Sequence, residues 1–305
     1  MNKGDLASLA LKDDGCPVCG SRDREQLGKA GKRNAVFERF SAEIDQVNAV
    51  RCRSCTALYI APMVHFSPAL QAELYNIDYF GSTEGVRDHK NMREKETILD
   101  VLARVTSPLS GKSLLDIGCG TGEYLVSAAN RGMKVTGIDV EGSIAKHIQE
   151  KYGLRVLTGL FGDETFPPDS FDVIVLSHVI EHLQEPIPLL RSIHRALKPG
   201  GAFVMATPNF DSLLENLKDL YGRRRYDPGK SYFLTPFTTP YHIVGFNVSS
   251  ARYILEKTGF KPIYLNVFSG LEWDDDSHKI AMRTIKILGA LLRRGMNLVT
   301  ISTKQ

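Results

Sequence analysis

The alternation of short apolar segments with amphipathic ones after Ser113 most constrains the fold of this chain. Runs such as 171–176 have the length and β-branched content of buried strands, and apolar residues recur at helical spacing between the runs. This pattern is typical of a parallel sheet covered by helices, so we predict an α/β fold. The predicted strands are 113–117, 134–138, 155–157, 171–176, 202–207, 262–267 and 298–302. The predicted helices are 122–131, 143–152, 187–197 and 249–258.

The first of these strands runs into a glycine-rich turn, Asp116-Ile-Gly-Cys-Gly-Thr-Gly122. Glycines permit a sharp turn and a close approach of the backbone to a ligand at the carboxyl edge of a sheet. The second strand ends at Asp139, where a carboxylate can accept hydrogen bonds from both ribose hydroxyls. The two features together predict a nucleoside-containing cofactor at this edge.

Two classes of cofactor compete for such a turn. A dinucleotide site uses the spacing G-x-G-x-x-G and places a pyrophosphate on the helix N-terminus. Here the third glycine comes two residues after the second, and Glu123 occupies the dinucleotide position. An acidic side chain there repels a pyrophosphate but not the zwitterionic amino acid end of S-adenosylmethionine. The pattern therefore favours S-adenosylmethionine.

The turn resembles the first signature of class I S-adenosylmethionine-dependent methyltransferases, and the resemblance covers residues from about 110 to 305. Further landmarks follow in the order of that family, at Gly137–Val140, Phe166–Ile174, Ser177–Leu183 and Leu197–Gly201. The resemblance implies a Rossmann-like, seven-stranded sheet that is mostly parallel and has an antiparallel edge hairpin. It also implies an enzyme that uses S-adenosylmethionine.

The resemblance assigns individual residues to the cofactor site. Asp139 matches the ribose acceptor, Val140 packs on adenine, and Ser177 faces the methionine end. Tyr79, in the segment before the domain, is expected to cap the cofactor; the alternative is an aromatic anchor that packs a connector helix. The full set of cofactor-binding candidates is Tyr79, Asp116, Gly118, Gly120, Gly122, Asp139, Val140, Gly159, Leu160, Phe161, Ser177 and His178.

Four of the five cysteines form two identical pairs, Cys16-Pro-Val-Cys19 and Cys52-Arg-Ser-Cys55. Two C-x-x-C knuckles separated by 32 residues have the spacing of a tetrahedral zinc site, which predicts a small N-terminal zinc ribbon. The alternatives are disulfides, which are rare in the cytosol, or redox dithiols. A site closed by four protein ligands is structural, so no catalysis is assigned to it. The fifth cysteine, Cys119, is interpreted as a small apolar filler.

These features divide the chain into three parts. We predict a zinc-ribbon domain over 1–62, a helical connector and cofactor lid over 63–109, and a methyltransferase domain over 110–305. Residues 208–247 of that domain correspond to the variable region that binds the acceptor in the family. Within the ribbon, residues 35–40 are predicted to form a strand.

Three histidines are candidates for a general base, because methylation of a hydroxyl requires removal of its proton. His178 and His182 follow the fourth strand of the domain, and His242 lies in the acceptor region. A capping or packing role is the alternative for each. Methyltransferases of the ubiquinone-biosynthesis type carry the same Glu-His pair, and some add a third carboxylate that completes a metal site. Here His178 holds that position, which argues against magnesium.

A looser resemblance, to methyltransferases of bacterial glycan and sugar-nucleotide biosynthesis, predicts an acceptor hydroxyl on a sugar, a sugar nucleotide or a related metabolite. One alternative is an RNA methyltransferase that binds RNA through the zinc ribbon. The first 60 residues carry 10 Lys and Arg against 8 Asp and Glu, and an RNA reader would be clearly basic. A second alternative is a non-catalytic protein that binds the cofactor and a partner.

Bulk properties set the expected partners and location. The net charge of +3 gives no reason to expect nucleic acid. The apolar runs are shorter than a membrane span, and the N-terminus lacks the apolar core of a secretory signal, so a cytoplasmic protein is expected. Residues 279–296 alternate Ile and Leu with Lys and Arg. Such a helix can lie on a membrane surface, pair with a second copy or pack on its own domain.

Overall fold

The computed structural model describes residues 8–30, 35–74, 88–106, 108–225, 234–237, 241–269 and 280–304. Its N-terminal part is built of short strands and turns. In chain order these are β1 (Leu9–Lys12), β2 (Arg24–Lys29), a 3-10 turn (Ala35–Phe40), α1 (Ser41–Ile44), β3 (Asn48–Cys52), β4 (Leu58–Ala61) and β5 (Met63–Phe66). The two cysteine knuckles lie before β2 and between β3 and β4.

The prediction of a strand over Ala35–Phe40 is wrong, because this segment forms a 3-10 helix. Phe37 and Phe40 are three residues apart and share one side of such a turn. Phe37 is fully buried, with its ring against those of Phe237 and Tyr241 at 5.3 and 5.9 Å between centroids. Burial of one aromatic side chain at this site thus outweighs the strand preference of the apolar run.

Two helices connect the N-terminal part to the main sheet, α2 (Pro68–Leu74) and α3 (Asp88–Val105). Both helices lie within the connector predicted over 63–109, whose first residues instead form strand β5 (Met63–Phe66). The buried side chains of α3 repeat at helical spacing, at Ile98, Leu99 and Leu102. Tyr79 lies outside the described residues.

The remaining chain alternates strands and helices. Its elements are β6 (Ser113–Ile117), α4 (Glu123–Ala129), β7 (Lys134–Asp139), α5 (Gly142–Tyr152), β8 (Val156–Thr158), β9 (Phe171–Ser177), α6 (Pro186–Ala196), β10 (Leu197–Pro208), α7 (Leu213–Arg225), β11 (Val244–Gly245), α8 (Val248–Lys257), β12 (Phe260–Phe268), α9 (Ile280–Leu291) and β13 (Asn297–Lys304). All seven predicted strands and all four predicted helices are present, with bounds shifted by a few residues.

Seven of these strands form one sheet in the order β12-β13-β10-β9-β6-β7-β8. Strand β13 pairs antiparallel with both β10 and β12, and the other neighbours run parallel. The predicted α/β class and antiparallel edge hairpin are therefore confirmed. The chain proceeds from β6 toward β8 and then returns to the other side of β6 with β9. Ligands of open α/β sheets bind at such a switch point, at the carboxyl ends of the strands.

A second sheet joins the N-terminal part to the predicted acceptor region. It has the order β11-β4-β3-β2, so a strand from the predicted acceptor region is added to three strands of the N-terminal part. Strand β11 is antiparallel to β4, with Val244 opposite Tyr59 and Gly245 opposite Leu58. Strands β1 and β5 form a separate antiparallel pair. Among the described residues, no helix combines the length and apolar character that crossing a membrane requires.

Candidate functional site

The glycine-rich turn after β6 needs its glycines for two reasons. Gly118, Gly120 and Gly122 have φ angles of 68°, 49° and 86°, in the left-handed region that side chains disfavour. A Cβ atom on Gly118 would also lie 2.5 Å from Cγ2 of Val179, in the loop after β9. The turn and the loop after β9 are therefore in direct contact at the switch point of the sheet.

Asp139, the last residue of β7, is buried beneath the glycine turn. Its Oδ2 accepts a hydrogen bond from the Gly120 amide at 2.9 Å, and its Oδ1 accepts one from the Glu141 amide at 3.1 Å. Burial raises the pKa of this carboxyl above its usual value, and the amide contacts oppose that rise. Each carboxylate oxygen has a second lone pair, so the fixed group can still accept hydrogen bonds from a ribose.

Apolar side chains are exposed beside Asp139. Val140 is 51% exposed and Leu160 is 78% exposed, although both lie at the edge of a well-packed sheet. The Gly159 amide donates to the Asp139 carbonyl at 2.8 Å, which brings the loop after β8 against the end of β7. Phe161 packs against Phe166 with a centroid distance of 6.3 Å. Exposed apolar surface next to a buried carboxylate is the surface that an adenosine would cover.

Asp116, the last-but-one residue of β6, lies on the side of the turn predicted for the methionine end. It is buried, and burial raises the pKa of its carboxyl to about 8. Lys95 of α3 opposes this rise. The Lys95 ammonium lies 3.3 Å from the Ser177 hydroxyl and 5.1 Å from the centroid of the Tyr124 ring. A carboxyl and an ammonium thus lie close enough to interact on the side of the turn predicted for the zwitterionic methionine end.

Sequence reasoning missed Glu94 and Lys95, which α3 carries into this site. Both are buried, and they form an ion pair with an N–O distance of 3.5 Å. The available signal was their position one turn before the buried Ile98 and Leu99, since charged residues on the apolar face of an amphipathic helix need partners.

His178 lies between two carboxylates. Its Nε2 is 3.4 Å from Oε1 of Glu94, and its Nδ1 is 3.4 Å from Oε1 of Glu181. Burial works against the charged imidazole, but the two carboxylates outweigh it and raise the pKa of His178 to about 9. His178 also has a φ of 55°, which is unusual for a residue with a side chain. The ring is therefore a fixed cation at neutral pH.

His182 and His242 are neutral at the same pH. Nδ1 of His182 is 3.0 Å from the Tyr241 carbonyl oxygen, and since a carbonyl only accepts, this nitrogen carries the proton. Burial lowers the pKa of His182. Burial also lowers the pKa of His242, to about 4, although Glu181 opposes the shift. The two rings lie 5.0 Å apart between centroids.

Glu181 connects the three histidines. It is fully buried, and its Oε2 accepts a hydrogen bond from the Thr207 hydroxyl at 3.0 Å. Burial opposes ionisation, but the hydrogen bond from the charged His178 lowers the pKa of Glu181 to about 2. Ligand atoms of Glu181, His182 and His242 lie within 4.8 Å of one another. Oε1 of Glu181 already faces the His178 cation, which would repel a metal ion at that oxygen. The arrangement therefore favours proton transfer over metal binding.

The four paired cysteines come together in one cluster. Sγ of Cys16 is 3.5 Å from Sγ of Cys55, Sγ of Cys19 is 3.4 Å from Sγ of Cys52, and all four lie within 4.8 Å of one another. Four sulfurs at zinc–sulfur distances of about 2.3 Å would be spaced by roughly 3.8 Å, so the donor set fits a tetrahedral zinc ion. All five cysteines are free thiols, which excludes the disulfide alternative in this structure.

Comparison with known families agrees with this geometry. The profile of a family described as "Methyltransferase domain" matches residues 88–265, more than half of the chain. The chain belongs to this methyltransferase family. The prediction of a class I S-adenosylmethionine-dependent methyltransferase is confirmed at the level of the family, and the four-cysteine cluster supports the predicted ribbon.

Two relatives illustrate the similarity. A Mycolicibacterium smegmatis protein named as an S-adenosylmethionine-dependent methyltransferase is 29% identical over 172 residues, which cover 56% of this methyltransferase and 60% of the relative. A ubiquinone biosynthesis O-methyltransferase of Pseudomonas paraeruginosa is 36% identical over 107 residues, which cover 33% and 46% of the two chains. The methyltransferase thus matches about half the length of these relatives.

Solved structures show the same fold. A chain from a Haloferax volcanii complex between the Trm112 methyltransferase activator and a methyltransferase has a TM-score of 0.53 at 19% identity, covering 74% of this chain and 97% of its own. The PH0226 protein of Pyrococcus horikoshii has a TM-score of 0.51 at 15% identity, covering 77% and 98%.

The methyltransferase brings most of its predicted site residues to one edge of the sheet. The glycine turn, Asp139 and the loop after β8 line one part of it, and the three histidines line another. Tyr79 is the predicted cofactor residue that lies outside the described part of the chain.

Proposed function

We propose that this methyltransferase transfers the methyl group of S-adenosylmethionine to a hydroxyl of a small molecule, of the class of a sugar, a sugar nucleotide or a related metabolite. The observation that carries the proposal is the His182 imidazole, which the Tyr241 carbonyl orients in the same loop after β9 that contacts the glycine turn through Val179. The ubiquinone biosynthesis O-methyltransferase, similar over 107 residues, supports oxygen as the methylated atom.

The chain's own residues would hold the cofactor. Asp139 would accept hydrogen bonds from the ribose, Val140 and Leu160 would cover the adenine, and Lys95 and Asp116 would lie near the carboxylate and the ammonium of the methionine end. S-adenosylmethionine supplies an already activated methyl group on a sulfonium. The protein therefore contributes mainly by aligning the acceptor oxygen with that methyl, which accounts for a large part of the rate enhancement in such reactions.

His182 is the proposed general base. Its Nδ1–H donates to the Tyr241 carbonyl, so Nε2 is the basic nitrogen of this tautomer and would take the proton of the acceptor hydroxyl. His178 is a poor base because it is already protonated at neutral pH. We assign it the electrostatic role of holding Glu181 and Glu94 in place. His242 lies beside His182 and would contact the acceptor.

The His182 proposal predicts a specific loss of catalysis. We expect His182→Ala to lower the rate of methyl transfer at least about 100-fold, the usual contribution of a general base. Binding of S-adenosylhomocysteine, measured by calorimetry, should be unchanged because the cofactor residues are intact. His147→Ala, in α5, is the matched control and should retain activity. An active His182→Ala enzyme would contradict the assignment.

The acceptor class is tested with methyl-labelled S-adenosylmethionine and a lysate fractionated into small polar metabolites, lipids and RNA. Label in the small polar fraction, absent with His182→Ala, supports the proposal and gives the product to mass spectrometry. Label in the RNA fraction would instead make the four-cysteine part a nucleic-acid module. Label in the lipid fraction would exclude a small polar acceptor.

We further propose that the four clustered cysteines, Cys16, Cys19, Cys52 and Cys55, hold one structural zinc ion. The support is the all-sulfur donor set and its spacing. Metal analysis should give one zinc per chain, and Cys16→Ser should lose it.

We also propose protein partners for this methyltransferase. The stretch 279–296 was predicted to lie on a membrane surface, pair with a second copy or pack on its own domain. At the end of α9 and directly after it, Leu291 and Leu292 are 75% and 60% exposed. We propose that a second copy covers these residues, since an exposed apolar patch usually marks a contact. The Haloferax fold relative occurs in a complex with an activator, which makes a protein partner a reasonable expectation here too. A cytoplasmic location remains a prediction.

A further inference from the structure

The segment 241–247 is called here the acceptor wall. On one side it is hydrogen-bonded to the loop after β9, which carries Glu181 and His182. The Ile243 amide donates to the Glu181 carbonyl at 2.9 Å, and the Tyr241 carbonyl accepts from His182. The His242 ring lies against His182. Two of the three site histidines are thus positioned by, or belong to, this short segment.

The other side of the acceptor wall is bonded to the N-terminal four-cysteine module, residues 8–66 of the described chain. Strand β11 of the wall pairs with β4 of the module, and the Ile60 amide donates to the Ile243 carbonyl at 3.1 Å. Asn247 and Thr56 exchange two hydrogen bonds of 3.2 Å. Thr56 directly follows Cys55, so the second knuckle itself contacts the wall.

Two further contacts hold the module against the acceptor wall and the helix that follows it. Phe37 of the module packs edge-on against the Tyr241 ring and is fully buried. The Lys257 ammonium, at the end of α8, lies 3.4 and 3.3 Å from the carbonyl oxygens of Val18 and Cys19 in the first knuckle. The wall and the helix that follows it therefore meet both knuckles.

The cofactor side is fixed by different groups. The Asp139 carboxylate is held by the amides of Gly120 and Glu141, which belong to neither the module nor the wall. Strands β6, β7 and β8 pair with one another along the edge that carries these groups. Unfolding of the module should therefore disorder the residues around the histidines and leave the cofactor-binding residues in place.

We propose that the four-cysteine module is an in-chain activator: its metal-held fold serves as the template on which the acceptor wall is ordered. Metal loading would then switch the acceptor side between ordered and disordered states and leave cofactor binding in place. The identity of the wall as the acceptor side rests on the proposed function. The coupling between module and wall rests only on the contacts above.

The test uses the full-length chain and hydrogen exchange of single amides, followed by NMR. Cys52→Ser should lose its zinc, and its Ile60 and Ile243 amides should exchange at least about 10-fold faster, since their local structure opens. Amides of β6 and β7 should stay protected, and the affinity for S-adenosylhomocysteine should remain within about twofold. Cys119→Ser is the matched control: it should keep the zinc and the protection of Ile243.

A second variant keeps the test decisive if Cys52→Ser does not fold. Phe37→Ala retains all four cysteines and should keep its zinc, but it should speed the exchange of the Ile243 amide. The proposal is overturned if Ile243 stays protected in Phe37→Ala, or if it stays protected in Cys52→Ser while Ile60 opens. Failure of the wild type to bind S-adenosylhomocysteine would instead count against the proposed function, because exchange still reports the coupling.

Discussion

At the scale of single residues, Asp139 combines two tasks. Its carboxylate holds the glycine turn through the Gly120 amide, and in the proposed function it would also accept hydrogen bonds from a ribose. A carboxylate that is already fixed loses little conformational entropy when a ligand binds, so more of its interaction energy contributes to the affinity. The side chain therefore links the order of the turn to the affinity for the cofactor.

We expect Asp139→Ala to weaken binding of S-adenosylhomocysteine by about 10- to 100-fold, since hydrogen bonds to a charged group contribute about 1.5–3 kcal/mol. Titration calorimetry measures this directly. Asp172→Ala is a matched control, because Asp172 also joins two strands but lies at the start of β9, where it accepts from the Ser113 amide. The control should lose stability without losing affinity; an equal loss of affinity in both would remove Asp139 from the ribose site.

His178 predicts a pH dependence of stability. Its pKa rises from 6.5 to about 9 in the folded protein, so its ion pairs stabilise the fold fully below pH 6.5 and lose this effect as pH rises through 9. His178→Gln should be less stable than the wild type by about 1–3 kcal/mol at pH 6, and the difference should shrink by pH 9.5. Urea unfolding at several pH values measures it. A difference that stays constant with pH would exclude the charged ring.

Which site residues were predictable follows from how local their signals are. The glycine turn and Asp139 stand at the ends of two successive strands, so the chain order alone places them together. Glu94 and Lys95 meet partners 84 and 82 residues away, and their amphipathic helix gave no indication of which groups they would face. The protonation states of the three histidines depend on burial and on these partners, so the sequence left the choice of base open.

At the scale of elements, the strands of the seven-stranded sheet were predictable, and two short elements outside that sheet were not. Strand β11 has two residues and exists only because β4 offers it a partner from the far end of the sequence. The 3-10 turn at 35–40 forms around the burial of one phenylalanine ring. Neither periodicity nor turn residues encode such pairings, since both arise from tertiary contacts.

Helix α8 begins at a capping box that also contacts the second knuckle. The Asn247 side chain accepts from the Ser250 amide at 2.9 Å and donates to the Thr56 carbonyl at 3.2 Å. We expect Asn247→Ala to lower the free energy of unfolding by about 1–2 kcal/mol, as loss of an N-cap does. Asn247→Asp keeps the capping oxygen but loses the amide donor, so it should fall between the two. Urea denaturation compares them, and equal stability of all three would exclude the cap.

At the scale of the whole molecule, the exposed face of α9 sets the expected assembly. Leu291→Glu combined with Leu292→Glu should weaken self-association at least about 10-fold, because two charges would be buried in the contact. Sedimentation velocity over a range of concentrations measures this. Ile263→Glu is the matched control, at a residue 40% exposed in β12, and should associate like the wild type. A wild type that stays monomeric would remove the proposed contact.

The pairing of β4 with β11 also means that β4 stays without this partner during much of synthesis on the ribosome. Strand β4 leaves the ribosome about 180 residues before β11 does, an interval of roughly ten seconds or more at ordinary rates of synthesis. During that time the edge of β4, with its Tyr59 and Ile60, is open to pairing with other chains. The nascent chain can therefore aggregate through this edge until residues 244–245 are synthesised and pair with it.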